Sequence, residues 1–291
     1  MARKSMYSKN SFSKEQLPSN RREVFFDVFK LHYFSFVKIG LILFAFAIPL
    51  FVVNFIKDYS FIIAYETGNS NTTMLVTCIG IEAVCIILMA IPISGLGKIY
   101  HEYAWLEPVF FADDFKKGIS ENIKPTLISV IMIAILNAIF NLVFYFTSSG
   151  WVIAIPFGFN IAVLYPIIMH TLYTSFIYTN KYWDNFKLGC FFYFRHLPTT
   201  LLSIILICAF KVYDLFQFKH IYGILTKNLV FLVIIIFVMP FIFLGVQLNE
   251  MRIFDKHINS LRFPHLVNKG LYVKEANKPN EEKDKDEPSK S

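Results

Sequence analysis

Long apolar runs alternate with short charged stretches along most of the chain. Runs at residues 39–56, 74–96, 126–146, 151–178 and 228–248 are each long enough to cross ~30 Å of hydrocarbon as a helix. A sixth run, 197–210, is short, and it spans only if Lys211 snorkels outward or the aromatic stretch before it tilts into the bilayer. The pattern predicts an all-α, polytopic membrane bundle of six transmembrane helices. Pro92, Pro166 and Pro240 recur 74 residues apart near the same end of successive runs. The segments around them, ILMAIPISGLGKIY, VLYPIIMHTLY and FVMPFIFLGVQL, match in position and character rather than identity. This spacing reads as an internal repeat of three helical hairpins, with each proline kinking its helix because it lacks an amide hydrogen and clashes with the preceding turn.

Composition supports the membrane reading. With 55% hydrophobic residues, 33 Phe and only 17% charged residues, too little polar surface exists to cover a soluble globule. Lys and Arg then set the orientation. If the amino terminus is cytoplasmic, the inner segments hold seven basic residues before Leu31, four in 98–124, three in 179–197 and nine after Met251, against Lys57, Lys211, Lys219 and Lys227 in the outer loops. Both termini are expected in the cytoplasm and the chain in the cell membrane. The net charge of +7 is then an orientation signal, not the mark of a nucleic-acid partner. The first apolar run continues past Pro49 with bulky residues and shows no cleavage pattern for a signal peptide. Four segments follow: a basic stretch 1–30, a membrane domain 31–250, a basic amphipathic interfacial segment 251–275 ended near Pro264, and a charged, disordered tail 276–291.

Two predicted cytoplasmic loops look alike. WLEPVFFADDFKKGISENIKPTLIS carries Asp114, Phe115, Lys116, Lys117, Gly118 and Asn122; KYWDNFKLGCFFYFRHLPTTLLS carries Asp184, Phe186, Lys187 and Gly189. Each ends in a proline, Pro125 or Pro198, expected to open the next span. Aromatic residues among charges suit a short helix at headgroup depth. The same residues would also serve as a surface docked by a cytoplasmic partner, and both readings stay open.

The first loop and the span before it resemble the YesL-like family of predicted bacterial integral membrane proteins, through Pro92, Gly95, Gly97, Asp114, Phe115, Lys117, Asn122 and Lys124. The resemblance extends over roughly residues 74–249. This chain departs from the pattern by an extra span and basic extension before it and a longer segment after it. Membership would imply an accessory membrane protein often encoded with carbohydrate uptake systems, and would support the architecture more than any mechanism.

Ionisable residues inside apolar runs are costly and point to function or to a partner. Glu82 stands out, with Asn137, Asn141 and Asn160 as candidate intramembrane partners. Its readings are a protonated, hydrogen-bonded Glu82, a proton or cation site in a central cavity, or a shallower position. Cys78 and Cys85 read as small buried apolar residues. His101, His170 and His196 share a face but lack a two-ligand helical spacing, so no metal or cofactor is expected, and no catalytic motif is present. Three classes of function remain: a non-enzymatic accessory or scaffold protein that binds a membrane permease or other complex; a small transporter or channel around Glu82; and an enzyme on lipid or lipid-linked sugar, for which Asp113, Asp114, His101 and His170 are the only material.

Overall fold

The computed structural model describes residues 17–67, 72–147, 150–197, 200–201 and 221–272, and among them every regular element is helical. In chain order these are α1 (Arg21–Thr67), α2 (Thr72–Leu88), α3 (Ala90–Ala104), α4 (Phe111–Phe146), α5 (Gly150–Phe159), α6 (Tyr165–Ile177), α7 (Tyr182–Arg195), α8 (Ile221–Phe237) and α9 (Met239–Phe254). A π-helical turn, Asn160–Leu164, joins α5 to α6, and a second, Asp255–Asn259, follows α9. Helix α1, the joined α2–α3, α4 and the joined α5–α6 are long and apolar enough to cross a membrane; the bent pair α8–α9 makes a fifth. The chain is therefore a multi-pass helical bundle suited to a bilayer. The sixth expected span, 197–210, falls mainly outside the described residues, as do Lys211, Lys219 and the tail 276–291.

Hydrogen bonding explains where helices begin and break. Asn20 starts α1 as its cap, its Oδ1 accepting the Arg22 and Glu23 amides at 3.0 Å each, while Glu23 reaches back to the Ser19 amide. His32 leaves helical geometry at φ −120°, dividing α1 into an aromatic, half-exposed first part and a spanning second part. All three repeated prolines sit just after a disruption. The break at Met89 precedes Pro92, the π turn 160–164 precedes Pro166, and Val238 separates α8 from α9 with a 48° bend before Pro240. A proline removes the bond to the turn before it, and the disruption falls there. Pro125 behaves differently from expectation: α4 runs through it without a break. The carbonyl that loses its donor belongs to Glu121, an exposed residue.

Two ends of the bundle can be named from the contacts. At the terminal end the Tyr272 amide donates to Pro18, and Arg21 donates to Asp255, to Lys269 O and to Ala104 O, tying both ends of the described chain to α3. The last residues of α1 and α4 and the first residues of α2 and α5 lie at the other, or hairpin, end. The segment after α9 is half-packed rather than a free surface helix: Phe254 and Ile258 are buried as the apolar spacing implies, but Leu261 is 80% exposed.

The two loops seat themselves by close approach. A Cβ on Gly118 of α4 would lie 2.7 Å from the Gly95 carbonyl of α3, and one on Gly189 of α7 would lie 2.9 Å from the Ile167 carbonyl of α6. Each loop helix thus packs, at a glycine, directly on the helix that follows a proline break.

Candidate functional site

Glu82 lies ten residues into α2, about 15 Å along the helix, and it is 2% exposed. Both its carboxylate oxygens have donors: Lys57 Nζ donates to Oε2 at 2.7 Å, Asn141 Nδ2 to the same oxygen at 3.0 Å, and Asn137 Nδ2 to Oε1 at 2.8 Å. Asn137 and Asn141 are one turn apart on α4 and so present both amides to one neighbour. Asn160, the third expected partner, is buried in the π turn, and the bonds found for Glu82 come from the other three residues.

Lys57 and Lys227 correct the expected outer loops, because both lie inside helices and are buried. Lys227 of α8 pairs with Asp58 of α1 at 2.8 Å. Consecutive residues of α1 therefore hold opposite charges from two other helices, and the four formal charges cancel.

A second buried network lies toward the terminal end. His170 Nδ1 is 2.7 Å from Glu250 Oε2 and His170 Nε2 is 2.9 Å from Thr200 Oγ1, with all three residues 0% exposed. One turn before Glu250, Gln247 is also 0% exposed and neither of its amide atoms has a partner; nor does Glu250 Oε1. Sequence reading singled out His170 but not Glu250 or Gln247.

Between the networks lies a cavity of about 410 Å³, within the usual ~300–1,000 Å³ of small-molecule sites. Its walls take Leu43 and Asn54 from α1, Glu82 and Ile86 from α2, Gly97 and Tyr100 from α3, Asn137 from α4, Tyr165, Met169 and Tyr173 from the α5–α6 helix, and Phe231, Met239 and Phe243 from α8–α9. Lining residues flank the breaks at Met89 and Val238 and adjoin Pro166, so the disrupted helices bow around the space. The walls are mostly hydrocarbon. Tyr100, 4% exposed, carries a hydroxyl without a hydrogen-bond partner.

The loop residues serve the fold in three cases. Asp114 accepts the Phe110 amide at 2.5 Å at the start of α4, Phe115 packs its ring against Gly95, and buried Asn122 donates to the Ser94 carbonyl at 3.4 Å. Lys116 is exposed, and Lys117 lies 4.0 Å from Glu121. On α7, Asp184 and Lys187 are exposed and Phe186 is half-buried against Trp183. Trp183 at 65% and Phe194 at 75% exposure give α7 an outward aromatic face.

Of the three histidines, His101 lies tilted against Trp105, His170 is buried with Glu250, and His196 Nε2 faces His257 Nε2 at 2.9 Å. Burial first, then His257 and nearby cations, push His196 below the ordinary histidine value. Among the described residues no group of three or more His, Cys, Asp and Glu side chains is arranged to hold a metal ion. Thr200 Oγ1 also lies 3.0 Å from the His196 carbonyl. In comparisons with known proteins, the chain matches no family model, no curated protein and no solved structure.

Proposed function

We propose that this chain is a small membrane carrier that binds an apolar or amphiphilic molecule in its central cavity. The observation that carries the reading is the cavity itself: it touches all five described spanning helices, sits at proline-disrupted segments, and has Glu82 and Asn137 in a mostly hydrocarbon wall. Helices interrupted near mid-bundle around a site recur where one part of a transporter rocks against another. Thr200 lies beside His170 toward the terminal end and Lys227 beside Asp58 toward the hairpin end, which favours a sixth crossing between them and hence six spans with both termini on one face. The three proline breaks and the paired glycine contacts favour a threefold hairpin repeat.

Native mass spectrometry of the protein released from lipid nanodiscs tests the reading. A retained apolar small molecule should be lost when Leu172, a cavity-lining residue, is enlarged in Leu172→Trp, while the melting temperature is kept. An empty wild type with no ligand-dependent stabilisation across lipids and amphiphiles would refute it.

The accessory reading, with a permease as partner, keeps one supporting observation: the exposed Trp183 and Phe194 beside Asp184 and Lys187 on α7. Phe115 no longer favours it, since its ring is spent on the fold. Cross-linking from α7 in native membranes that captures one defined membrane complex, released by Trp183→Ala, would establish that reading instead. The YesL-like resemblance and the absence of catalysis remain parts of the accessory proposal.

A further inference from the structure

Two carboxylates are buried in the described bundle, and their surroundings assign them opposite roles. Glu82 receives donors on both oxygens, one of them an ammonium, so an added proton would be set against a donor already in place. Glu250 has one neighbour, His170 Nδ1 on Oε2, and its Oε1 has no partner.

The Thr200 hydroxyl can serve either state of the imidazole. With its hydrogen on the His196 carbonyl, its oxygen accepts from a protonated His170 Nε2. Across the 2.7 Å gap to Glu250, the structure then fits an imidazolium facing a carboxylate or a bare nitrogen facing a carboxyl O–H equally well. Either way the pair holds one shared proton and is neutral. Losing that proton needs no heavy-atom movement. The Thr200 hydroxyl turns from His196 to donate to Nε2, and Nδ1 keeps the remaining hydrogen toward the carboxylate.

The charge left on Glu250 would then need solvation. Gln247, one turn away on α9, has both amide atoms buried and unpaired, as is Glu250 Oε1, and buried polar atoms in that condition are the kind that internal water satisfies. Other groups near the pair are Tyr173 of α6 beside Glu250, His196 beside His170, and Asn249 of α9; the cations Arg195 and Lys256 act on His196.

We propose that His170 and Glu250, relayed by Thr200 and solvated at Gln247, form a proton-binding site, and that Glu82 is a fixed charge. The site stands on its own hydrogen bonds and goes beyond the carrier reading, which it would supply with a coupling ion.

Nitrogen-15 NMR of histidine-labelled protein in nanodiscs tests it, with His170→Gln assigning the signal among seven histidines. Two protonated nitrogens or a shared proton at Nδ1 should give way on alkalinisation to an Nδ1-protonated tautomer, with one proton released. Glu250→Gln should abolish this transition. Thr200→Val, which preserves shape, should change the Nε2 signal on both sides of the transition, because the ring nitrogen then has neither acceptor nor donor there. Glu82→Gln should leave it in place. A single tautomer from acid to alkali, a transition that survives Glu250→Gln, or one that disappears with Glu82→Gln would each overturn the assignment, and none of these depends on a cavity ligand.

Discussion

The two buried polar networks use the same chemistry to opposite ends. Around Glu82, four formal charges on α1, α2 and α8 cancel and both Glu82 oxygens have a donor. Around Glu250, His170 faces one carboxylate oxygen, while the other oxygen and both Gln247 amide atoms lack partners. The difference teaches that buried charge alone does not mark a working site. A saturated network locks helices together, because every change of state breaks a bond already made, whereas an unsaturated one leaves room for a proton, a water or a rotated hydroxyl.

The largest expected effect breaks the first network. Lys57→Met leaves Glu82 as an uncompensated charge and should destabilise the protein by about 3–5 kcal/mol, read as a drop in thermal midpoint in detergent. The double variant Lys57→Met/Glu82→Leu should recover much of the loss, since apolar replacements of both partners are commonly tolerated. Equal damage from single and double variants would mean that shape, not charge, holds this site.

Next comes Glu250→Gln, at about 1–3 kcal/mol. The amide oxygen still accepts from His170 Nδ1, so the substitution removes a shared proton but not a hydrogen bond. A loss as large as that of Lys57→Met would make the second network as rigid as the first and sink the comparison.

The two networks were not equally legible in the sequence. A lone Glu in an apolar run with asparagines at 137 and 141 is a local pattern, and the structure joins them. The proline breaks were legible for the same reason, because the cause lies one turn from its effect. Lys57 was misread because Lys57–Asp58 resembles the charged end of a span, yet Tyr59 and Ile62–Ile63 continue the apolar pattern, and that continuation was the available signal. Glu250 sits beside Arg252 at the end of a run and looks solvated; only contact with His170, 80 residues earlier, shows that it is buried. Pairings across such distances have no periodic signature. The loop residues divide likewise: Asp114 and Asn122 look like surface polar groups in sequence, but their partners are backbone atoms that sequence does not display.

Finer structure within the Glu82 network should show in its asparagines. Asn137 donates to Oε1, whereas Asn141 shares Oε2 with Lys57. Asn137→Ala should therefore cost more than Asn141→Ala, with both in the range of about 0.6–2 kcal/mol typical of interhelical hydrogen bonds in membranes. Urea- or heat-unfolding of the two variants side by side resolves the order. The reverse order would show that Lys57 alone does not satisfy Oε2.

The smallest effect concerns pH and separates the two ends of the bundle. At the terminal end, His196 and His257 face each other through Nε2 atoms 2.9 Å apart, so at most one of the two nitrogens carries a hydrogen. Burial, reinforced by His257 and the nearby cations, holds His196 below the ordinary value of 6.5. A depressed histidine adds stability above 6.5, where folded and unfolded forms are both neutral, and this contribution is lost as the pH falls from there through the lowered folded value. Mild acid should therefore loosen α7 from the segment after α9, seen as faster amide exchange at 182–195 and 255–262. The helices around Glu82 should keep their protection over the same range, because the Lys57 ammonium and the carboxylate are each already in their paired state. His257→Gln should remove part of the acid response by ending the repulsion between two imidazolium rings. Equal loosening at both ends, or none at the His196 end, would erase the distinction between a locked network and one built around a movable proton.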